Sequence, residues 1–281
     1  MINIVVAFPA EARPLAEYFR LRDKDTTGPF PVYRNAALCL TISGLGKVQS
    51  AAATAWLQGI TRGQAPAGWL NIGIAGHAIH NIGDGFIAHR ITDQASSRSW
   101  YPPQVHGLKL PTDNLLTVDL PETGYQDDAL YDMEAAGFYP IACRSATAEL
   151  VQCFKIVSDN RLQPVTGVDT GRYSDLVISR LGEIESLLDE IERMLQTPGV
   201  RYPGQEDLKL FTANWHFSQT QQHQLMRLLR RWEALAPGQS LRCRDLMKQN
   251  QAGDVLRWLE NHLHALPVKL GQEPCPRISS R

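Results

Sequence analysis

Two carboxylates of this sequence stand at the ends of separate apolar segments, where α/β proteins commonly place their reactive groups. Glu134 lies near the start of a run of small residues that predicts a helix over 133–143, and Asp159 follows an apolar run, 150–157, that predicts a strand. One such acid can bind the hydroxyls of a sugar, and the other can protonate a leaving group. Each also has an ordinary structural explanation, because Glu134 would suit the first turn of a helix and Asp159, like Ser158, would suit a helix cap.

Composition limits the kind of protein to which these acids can belong. The chain has 281 residues, of which 43% are hydrophobic and 20% charged, and its formal net charge is −1. These values are ordinary for a globular protein, and the overall charge favours no polyanionic partner. The apolar start, 1–8, lacks a basic region and ends at Pro9, well short of the roughly 18 apolar residues of a membrane span. We therefore expect a cytoplasmic protein without a membrane segment.

The residues that usually bind metals are scattered along the chain. The five cysteines show no Cys-x-x-Cys spacing, which predicts neither a disulfide framework nor a zinc site. Four histidines of the central region, His77, His80, His89 and His106, have no ligand spacing either, and lone histidines are more often structural than ligands. We expect no metal ion.

Strand-like and helix-like segments alternate through the first two thirds of the chain, which is typical of an α/β layer fold. An amphipathic pattern over 174–195 predicts one helix that closes a first domain, 1–196. The region 92–113 is polar and contains prolines, which predicts a long loop that could act as a lid or an interface. The remaining predicted elements are strands at 2–8, 31–33, 38–43, 69–73, 85–91 and 115–118, and helices at 10–18 and 47–57.

A proline- and glycine-containing breaker, 197–204, separates a second region, 197–281, which predicts a helical extension with helices at 218–235 and 241–266. Arginines and a tryptophan in this region could form a basic face for a nucleic acid or an acidic partner. A helix pair packed on the first domain, with arginine stems over apolar surface, is the simpler interpretation. We therefore expect no nucleic-acid partner. The residues concerned are Arg227, Arg230, Arg231, Trp232, Arg242 and Arg244.

Glycine clusters follow two of the predicted strands. The segment 43–48, with sequence SGLGKV, precedes an alanine-rich helix, so backbone amides near Gly44 could face an anion or a sugar. A second cluster, 71–76, has the sequence NIGIAG, and a glycine turn at 83–85 begins the next strand. Taken singly, each cluster is explained by a tight turn.

In their order, these segments resemble the family of purine nucleoside phosphorylases and methylthioadenosine/S-adenosylhomocysteine nucleosidases. The shared series is SGLGKV, NIGIAG, IGDG, DMEAAG and KIVSD, and it covers roughly 1–195. The resemblance implies a three-layer α/β/α fold with a central mixed β-sheet and a homo-oligomer, often a dimer. It also implies cleavage of the N-glycosidic bond of a purine nucleoside or 5′-modified adenosine derivative, with release of the free base. No cofactor is implied, although phosphate is a co-substrate of the phosphorylases.

The resemblance assigns roles to individual residues. The family's MEA motif corresponds to Met133, which would pack on the sugar, and Glu134, which would bind the ribose hydroxyls. The aspartate of its SD motif, here Asp159, would act at the purine N7. Further substrate contacts would come from Gly76, Ile74 and Ser158.

The group that attacks the sugar is left open by the sequence. Glu11 corresponds to the glutamate that orients water in nucleosidases, and Arg13 and Gly44 are candidates for a phosphate or water site. Ile74 replaces the serine of the phosphorylases, which disfavours phosphate and places hydrolysis slightly ahead of phosphorolysis. A solvated first helical turn explains Glu11 and Arg13 equally well, and the Glu-Ala-Arg pattern resembles the hopanoid-associated branch of the family.

The replacement at Ile74 and the added C-terminal segment also support a second hypothesis from another functional class. The first domain would then be a catalytically impaired module that binds a nucleoside, and the C-terminal helices would contact a partner. Tight binding of a nucleoside without release of the base would distinguish this module from an enzyme.

Overall fold

The computed structural model describes residues 1–61, 67–105, 107–164, 169–196, 205–236, 241 and 246–266. Contacts divide the chain into two compact units, Met1–Gln196 and Thr197–Arg281. The predicted breaker at 197–204 lies outside the described residues, as does His106. No helix within the described ranges has both the length and the apolar character needed to cross a membrane.

The first unit is built on one mixed sheet of ten described strands. Strand β1 pairs in parallel with β4 and β5, and β10 also runs parallel to β5. The carboxyl ends of these central strands therefore meet at one edge of the sheet, where α/β folds place ligands. The strands are β1 (Ile2–Val6), β2 (Asp23–Asp25), β3 (Val32–Arg34), β4 (Leu38–Ile42), β5 (Gly68–His77), β6 (Gly85–Asp93), β7 (Ser99–Trp100), β8 (Thr112–Thr117), β9 (Leu130–Asp132) and β10 (Val151–Asn160).

Five of these strands pair in a closed circuit. Strand β5 pairs with both β10 and β9, while β6 joins β10 to β8, and β8 pairs with β9. The remaining strands extend the sheet on one side in the order β1, β4, β3, β2, and the short β7 pairs with β6. The circuit brings the loop between β8 and β9 beside the ends of β5 and β10.

Helices cover both faces of the sheet, which confirms the predicted three-layer α/β/α fold. Neighbouring residues of a strand point to opposite faces. Gly68 of β5 faces Ile191, whereas the next residue, Trp69, places its ring 6.4 Å from that of Phe138. The helices are α1 (Pro9–Tyr18), α2 (Lys47–Ile60), α3 (Ala135–Ala142), α4 (Thr170–Ser179) and α5 (Leu181–Gln196), with a 3-10 turn at Ala148–Leu150.

The prediction of one helix over 174–195 is wrong, because α4 ends before Arg180 and α5 begins after it. The Arg180 guanidinium donates from Nε to the carbonyl oxygen of Gly83 at 2.6 Å and from Nη1 to Glu183 Oε1 at 2.7 Å. Its backbone, with φ −116°, leaves the helical region. The apolar spacing continues across the break, so the sequence pattern gives no sign of it. In addition, β10 extends past Asp159, so this residue lies within the strand and does not terminate it.

The second unit contains three described helices, α6 (Gln205–Thr212), α7 (Gln219–Leu235) and α8 (Ala252–Ala265), with a hydrophobic core of their own. Ser218 caps α7 by accepting a hydrogen bond from the Gln221 amide, and Trp215 donates from Nε1 to the Gln249 carbonyl at 2.8 Å. The helix predicted at 241–266 is shorter in the structure, where α8 covers only Ala252–Ala265. Arg227, Arg230 and Arg231 are exposed on α7, while Arg242 and Arg244 lie outside the described residues.

Candidate active site

Glu11 lies in the first turn of α1, but its carboxylate is buried, with 1% of the residue exposed. Oε2 accepts hydrogen bonds from the amides of Ala7 and Phe8, both at 2.9 Å, and Oε1 accepts from the Ile74 amide at 3.0 Å. Burial raises the pKa of Glu11 above its ordinary value, and these amides together with the Lys155 charge only partly offset that effect. Glu11 is therefore not the solvated residue of the alternative interpretation. A carboxylate with a raised pKa, fixed by three amides, is a stronger base than an ordinary carboxylate and can accept a proton from water.

Two other predicted members of an anion site do not join Glu11. The Arg13 side chain is 79% exposed and pairs with Glu17, one helical turn along α1, at 2.9 Å. The Gly44 amide donates to the carbonyl oxygen of Ala7 at 3.1 Å, so it is already bonded within the chain. Gly44 has a φ of +84°, which explains the glycine by backbone geometry. Neither residue contacts the Glu11 carboxylate through these bonds, and a phosphate or water site at Arg13 and Gly44 stays a prediction.

Glu134 immediately precedes α3 and is also buried, with 6% of the residue exposed. Its Oε1 accepts from the Gly46 amide at the start of α2, at 2.9 Å. This contact requires α3 to approach α2 closely, and Gly137 permits it, since a Cβ there would lie 2.1 Å from the Lys47 carbonyl oxygen. The helix start predicted to face an anion thus faces a carboxylate of the chain itself. The neighbouring Met133 is half-buried and packs against an apolar cluster that includes Val118 and Tyr125 of the loop between β8 and β9.

The electrostatic surroundings of Glu134 are dominated by burial and by other carboxylates. Burial and the negative charge of Asp132 raise its pKa from 4.5 to about 7, and the charge of Glu11 adds to the increase. Lys155 and the Gly46 amide act in the opposite direction. Glu134 therefore titrates close to neutral pH.

Lys155 completes this cluster and was missed by the sequence analysis. It is 1% exposed, and its Nζ lies 2.8 Å from Asp132 Oδ2. A Cβ on Gly73 would lie 3.1 Å from Glu11 Oε1 and 3.4 Å from Lys155 Nζ, so the ammonium also lies near Glu11. Although burial lowers it, the charges of Asp132 and Glu134 raise the pKa of Lys155 above its ordinary value. A lysine within the apolar run VQCFKIV was the available signal, because a buried charge must be paired.

Asp132 is itself held in place by several donors. Its Oδ1 accepts from Thr117 Oγ1 at 2.7 Å, and its Oδ2 accepts from the Ala135 amide at 2.8 Å in addition to Lys155. The ion pair of Asp132 and Lys155 is therefore a fixed part of the site, which joins β9 to β10.

Asp159 stands on β10 directly opposite Gly76 of β5, beside an irregularity that leaves Ser158 unpaired in the register. Ser158 Oγ donates to Asp159 Oδ1 at 2.5 Å, and the Tyr125 hydroxyl donates to Oδ2. A Cβ on Gly76 would lie 2.6 Å from Asp159 Oδ2 and 2.8 Å from Tyr125 Cε1, so only glycine leaves room for both. Asp159 is half-buried and is no helix cap. Tyr125 was not predicted, because nothing in the sequence places its loop here.

Tyr173 on α4 connects the two groups of acids. Its ring lies 5.7 Å from that of Phe8, which is adjacent to the Glu11 carboxylate. Burial raises the pKa of Tyr173, and the negative charges of Asp159 and Glu11 raise it further. The three predicted carboxylates, Glu11, Glu134 and Asp159, therefore belong to one region at the carboxyl ends of the central strands.

A cluster of His77, His80 and Asp113 has donor atoms close enough for a metal ion, within 4.8 Å of one another. Both Nε2 atoms lie 3.2 Å from Asp113 Oδ2. However, His77 Nδ1 accepts from the amides of Ile79 and His80, at 3.1 and 3.2 Å, so the proton of the neutral ring is on Nε2. A ring in this tautomer cannot offer Nε2 to a metal. The cluster fits hydrogen bonding to Asp113 better than metal binding.

A cleft of about 410 Å³ opens near β6 and β8, among residues such as Arg90, Asp93, Asn114 and Asp127. None of Glu11, Glu134 and Asp159 lines it. The arrangement of the buried acids, and not the position of this cleft, identifies the candidate active site.

The structure is similar to several solved nucleosidases. A 5′-methylthioadenosine nucleosidase from Arabidopsis thaliana matches with a TM-score of 0.56 and 17% identity, over 68% of this chain and 95% of that one. A Helicobacter pylori 5′-methylthioadenosine/S-adenosylhomocysteine nucleosidase, with a bound butyl-thio-DADMe-Immucillin-A, gives 0.53 and 15% over 67% and 97%. Futalosine hydrolase of the same organism also gives 0.53 and 15% over 67% and 97%.

Comparison by sequence alone finds no such relatives. No protein-family model matches the chain, and no curated protein matches it. Sequence identities of 15 to 17% show the fold and no more. Over about two thirds of its length, the chain therefore has the fold of the 5′-methylthioadenosine nucleosidases, which confirms at the level of the fold the resemblance seen in its motifs.

Proposed function

We propose that the first unit hydrolyses the N-glycosidic bond of a purine nucleoside or a 5′-modified adenosine derivative and releases the free base. The observation that carries the proposal is the gathering of Glu11, Glu134 and Asp159, from three different elements, at the carboxyl ends of the central strands of a nucleosidase fold. Glu11 and Glu134 are buried, whereas Asp159 is half-buried and accepts hydrogen bonds from two hydroxyl groups. Acids in such different surroundings can take different roles in one reaction.

In the proposed reaction the bond between C1′ of the sugar and N9 of the base breaks, and its electron pair leaves with the base. Asp159 donates a proton to the base at N7, which makes the base a better leaving group. The sugar develops positive charge, which the buried Glu134 carboxylate stabilises while it holds the ribose hydroxyls. Water then attacks C1′ and gives its proton to Glu11.

Water is favoured over phosphate by the surroundings of Glu11. Among the described residues of this region, the groups that could bind an anion are already engaged: the Gly46 amide bonds Glu134, and Lys155 bonds Asp132. Arg13 is exposed and paired, and Ile74 supplies no hydroxyl. Phosphate would also meet the negative charges of the buried acids.

The substrate's 5′ group is proposed from the structural neighbours. Two of them are named for 5′-methylthioadenosine, an adenine ribonucleoside with a methylthio group at 5′, and one is named for futalosine. We therefore propose a purine ribonucleoside with a modified 5′ position. We further propose that the protein is a cytoplasmic homodimer and requires no cofactor, and light scattering of the purified chain would test its oligomeric state.

The test is a panel of purine nucleosides, with and without phosphate, followed by chromatography of the released base and sugar. We expect free ribose-type sugar and a rate independent of phosphate; a sugar 1-phosphate would contradict hydrolysis. Asp159→Asn should lower the rate by about 10² to 10⁴, the range of general acid catalysis. Asp175→Asn, an exposed carboxylate on α4, is the matched control, and equal rates in the two variants would contradict the role of Asp159.

The second candidate, a catalytically impaired nucleoside-binding module, is favoured by one contact. The Tyr125 hydroxyl occupies Asp159 Oδ2, the oxygen that faces Gly76. If the wild-type protein binds nucleosides tightly and releases no base under any condition of the panel, this second function replaces the first.

A further inference from the structure

Both oxygens of the Asp159 carboxylate are bonded by hydroxyl groups of the chain itself. Ser158 Oγ lies 2.5 Å from Oδ1, and the Tyr125 hydroxyl donates to Oδ2. A general acid must present one of its oxygens to the group that it protonates. One of the two hydroxyls therefore has to give way before Asp159 can act on a substrate.

Of the two residues, Tyr125 is the one on an element that can move. Ser158 belongs to β10, whereas Tyr125 belongs to the loop 118–129 between β8 and β9. Tyr125 has a φ of +45°, in the left-handed region that strains a residue with a side chain. The strained backbone is held by Arg161, which donates to the Tyr125 carbonyl, and by Glu122, which accepts from the Tyr125 amide. A strained loop residue secured by local hydrogen bonds can exchange between two positions.

The aromatic ring of Tyr125 lies where a planar base would have to lie. Tyr125 is wholly buried, and its Cε1 is 2.8 Å from the point that a Cβ on Gly76 would occupy. The same point is 2.6 Å from Asp159 Oδ2. A purine that is protonated by Asp159 needs the same two contacts, a flat surface against the glycine and a hydrogen bond to the carboxyl group. The phenol thus makes the contacts expected of the base.

We infer that Tyr125 occupies the base subsite of the unliganded protein and that the purine displaces it, an inference that rests on the proposed function. Tyr125 then sets the affinity for substrate, because a ligand binds only the fraction of molecules in which the subsite is open. Removing the hydroxyl takes away the hydrogen bond to Asp159 and raises that open fraction.

Titration calorimetry with adenine tests the inference directly. We expect Tyr125→Phe to bind adenine roughly tenfold more tightly than the wild type. Tyr18→Phe is the matched control, because its hydroxyl also donates to a carboxylate, Glu185 Oε2 at 2.8 Å, but makes no contact with Asp159 or with the loop of Tyr125; its affinity should stay unchanged. 7-Deazaadenine, which lacks the N7 acceptor, should bind more weakly than adenine to both proteins, but its gain in Tyr125→Phe should be the same, because the open fraction does not depend on the ligand. If Tyr125→Phe fails to fold, Arg161→Met loosens the same loop and should change the affinity in the same direction.

Each outcome decides the inference. Equal or weaker adenine binding by Tyr125→Phe overturns it, and so does the absence of adenine binding in all variants. If the wild type releases base and Tyr125→Phe does not lower KM, the inference falls while the proposed function stands. If the wild type releases no base but Tyr125→Phe binds adenine more tightly, the inference stands and the proposed function falls.

Discussion

Replacing Glu134 with glutamine should stabilise the protein above neutral pH while removing its activity. The pKa of this carboxyl rises from 4.5 to about 7 on folding, chiefly because it is buried and faces Asp132. Between these two pH values the folded protein keeps a proton that the unfolded chain has released, so wild-type stability falls as the pH rises. At 1.36 kcal/mol for each pH unit, this interval corresponds to about 3 kcal/mol.

Glutamine resembles the protonated acid in shape and keeps an acceptor for the Gly46 amide, but it cannot ionise. The stability difference between Glu134→Gln and the wild type should therefore be small below pH 4 and reach about 3 kcal/mol above pH 8. In a unit of this size, that difference corresponds to a rise of roughly 6 to 12 °C in Tm. Differential scanning calorimetry of the full chain from pH 4 to pH 8 measures it, with Glu192→Gln, an exposed residue of α5, as the control.

The same variant, Glu134→Gln, should also lose catalytic activity. If Glu134 binds the ribose hydroxyls, Glu134→Gln should release base from ribonucleosides at a rate lower by about 10²-fold or more. A stability difference that does not change with pH would refute the electrostatic reasoning. An unchanged rate with the expected gain in stability would leave Glu134 as a buried acid that takes no part in the reaction.

Three further variants test other contacts. Lys155→Met should cost about 3 to 5 kcal/mol in urea unfolding, because it leaves the Asp132 carboxylate buried without its cation; a loss below about 1 kcal/mol would contradict the pairing. Gly76→Ala should cost about 1 to 3 kcal/mol and reduce base release, since the added methyl group would lie 2.6 Å from Asp159 Oδ2; normal turnover would contradict this geometry. Ser218→Ala should lower the stability of the second unit by about 1 kcal/mol through the loss of the α7 cap, and an unchanged melting transition of that unit would show that the cap contributes nothing.

The sequence located the acids because their motifs are local. Asp159 follows an apolar run and Glu134 precedes a run of small residues, and both patterns are fixed by neighbours along the chain. Glu11 could be found in the same way. Its burial could not be predicted, because the carboxylate bonds both the nearby Phe8 amide and the Ile74 amide, which lies 63 residues away. The local pattern therefore supported a solvated residue and a site residue equally.

Lys155 and Tyr125 show what a local pattern cannot supply. The partners of Lys155 are on β9 and in the first turn of α1, which come together only when the sheet closes on itself. Tyr125 reaches Asp159 through a loop whose path is set by the pairing of β9 with β5 and β8. Arg13 illustrates the opposite error: it stands two residues from Glu11, but the helix turns it toward Glu17 and away from the site.

The cost of burying several carboxylates around Lys155 is related to the chemistry proposed for the site. Within the described part of the chain, Glu11, Asp132 and Glu134 face one ammonium group, that of Lys155, so the cluster carries excess negative charge whenever its acids ionise. Burial raises the pKa values of both Glu11 and Glu134, and for Glu134 the negative charges of Asp132 and Glu11 add to the increase. A sugar that becomes cationic as its bond to the base breaks would relieve the excess, so the interaction is strongest at the transition state. An incoming phosphate would add to the excess negative charge, whereas neutral water would not. The same excess charge therefore favours both a cationic transition state and hydrolysis over phosphorolysis.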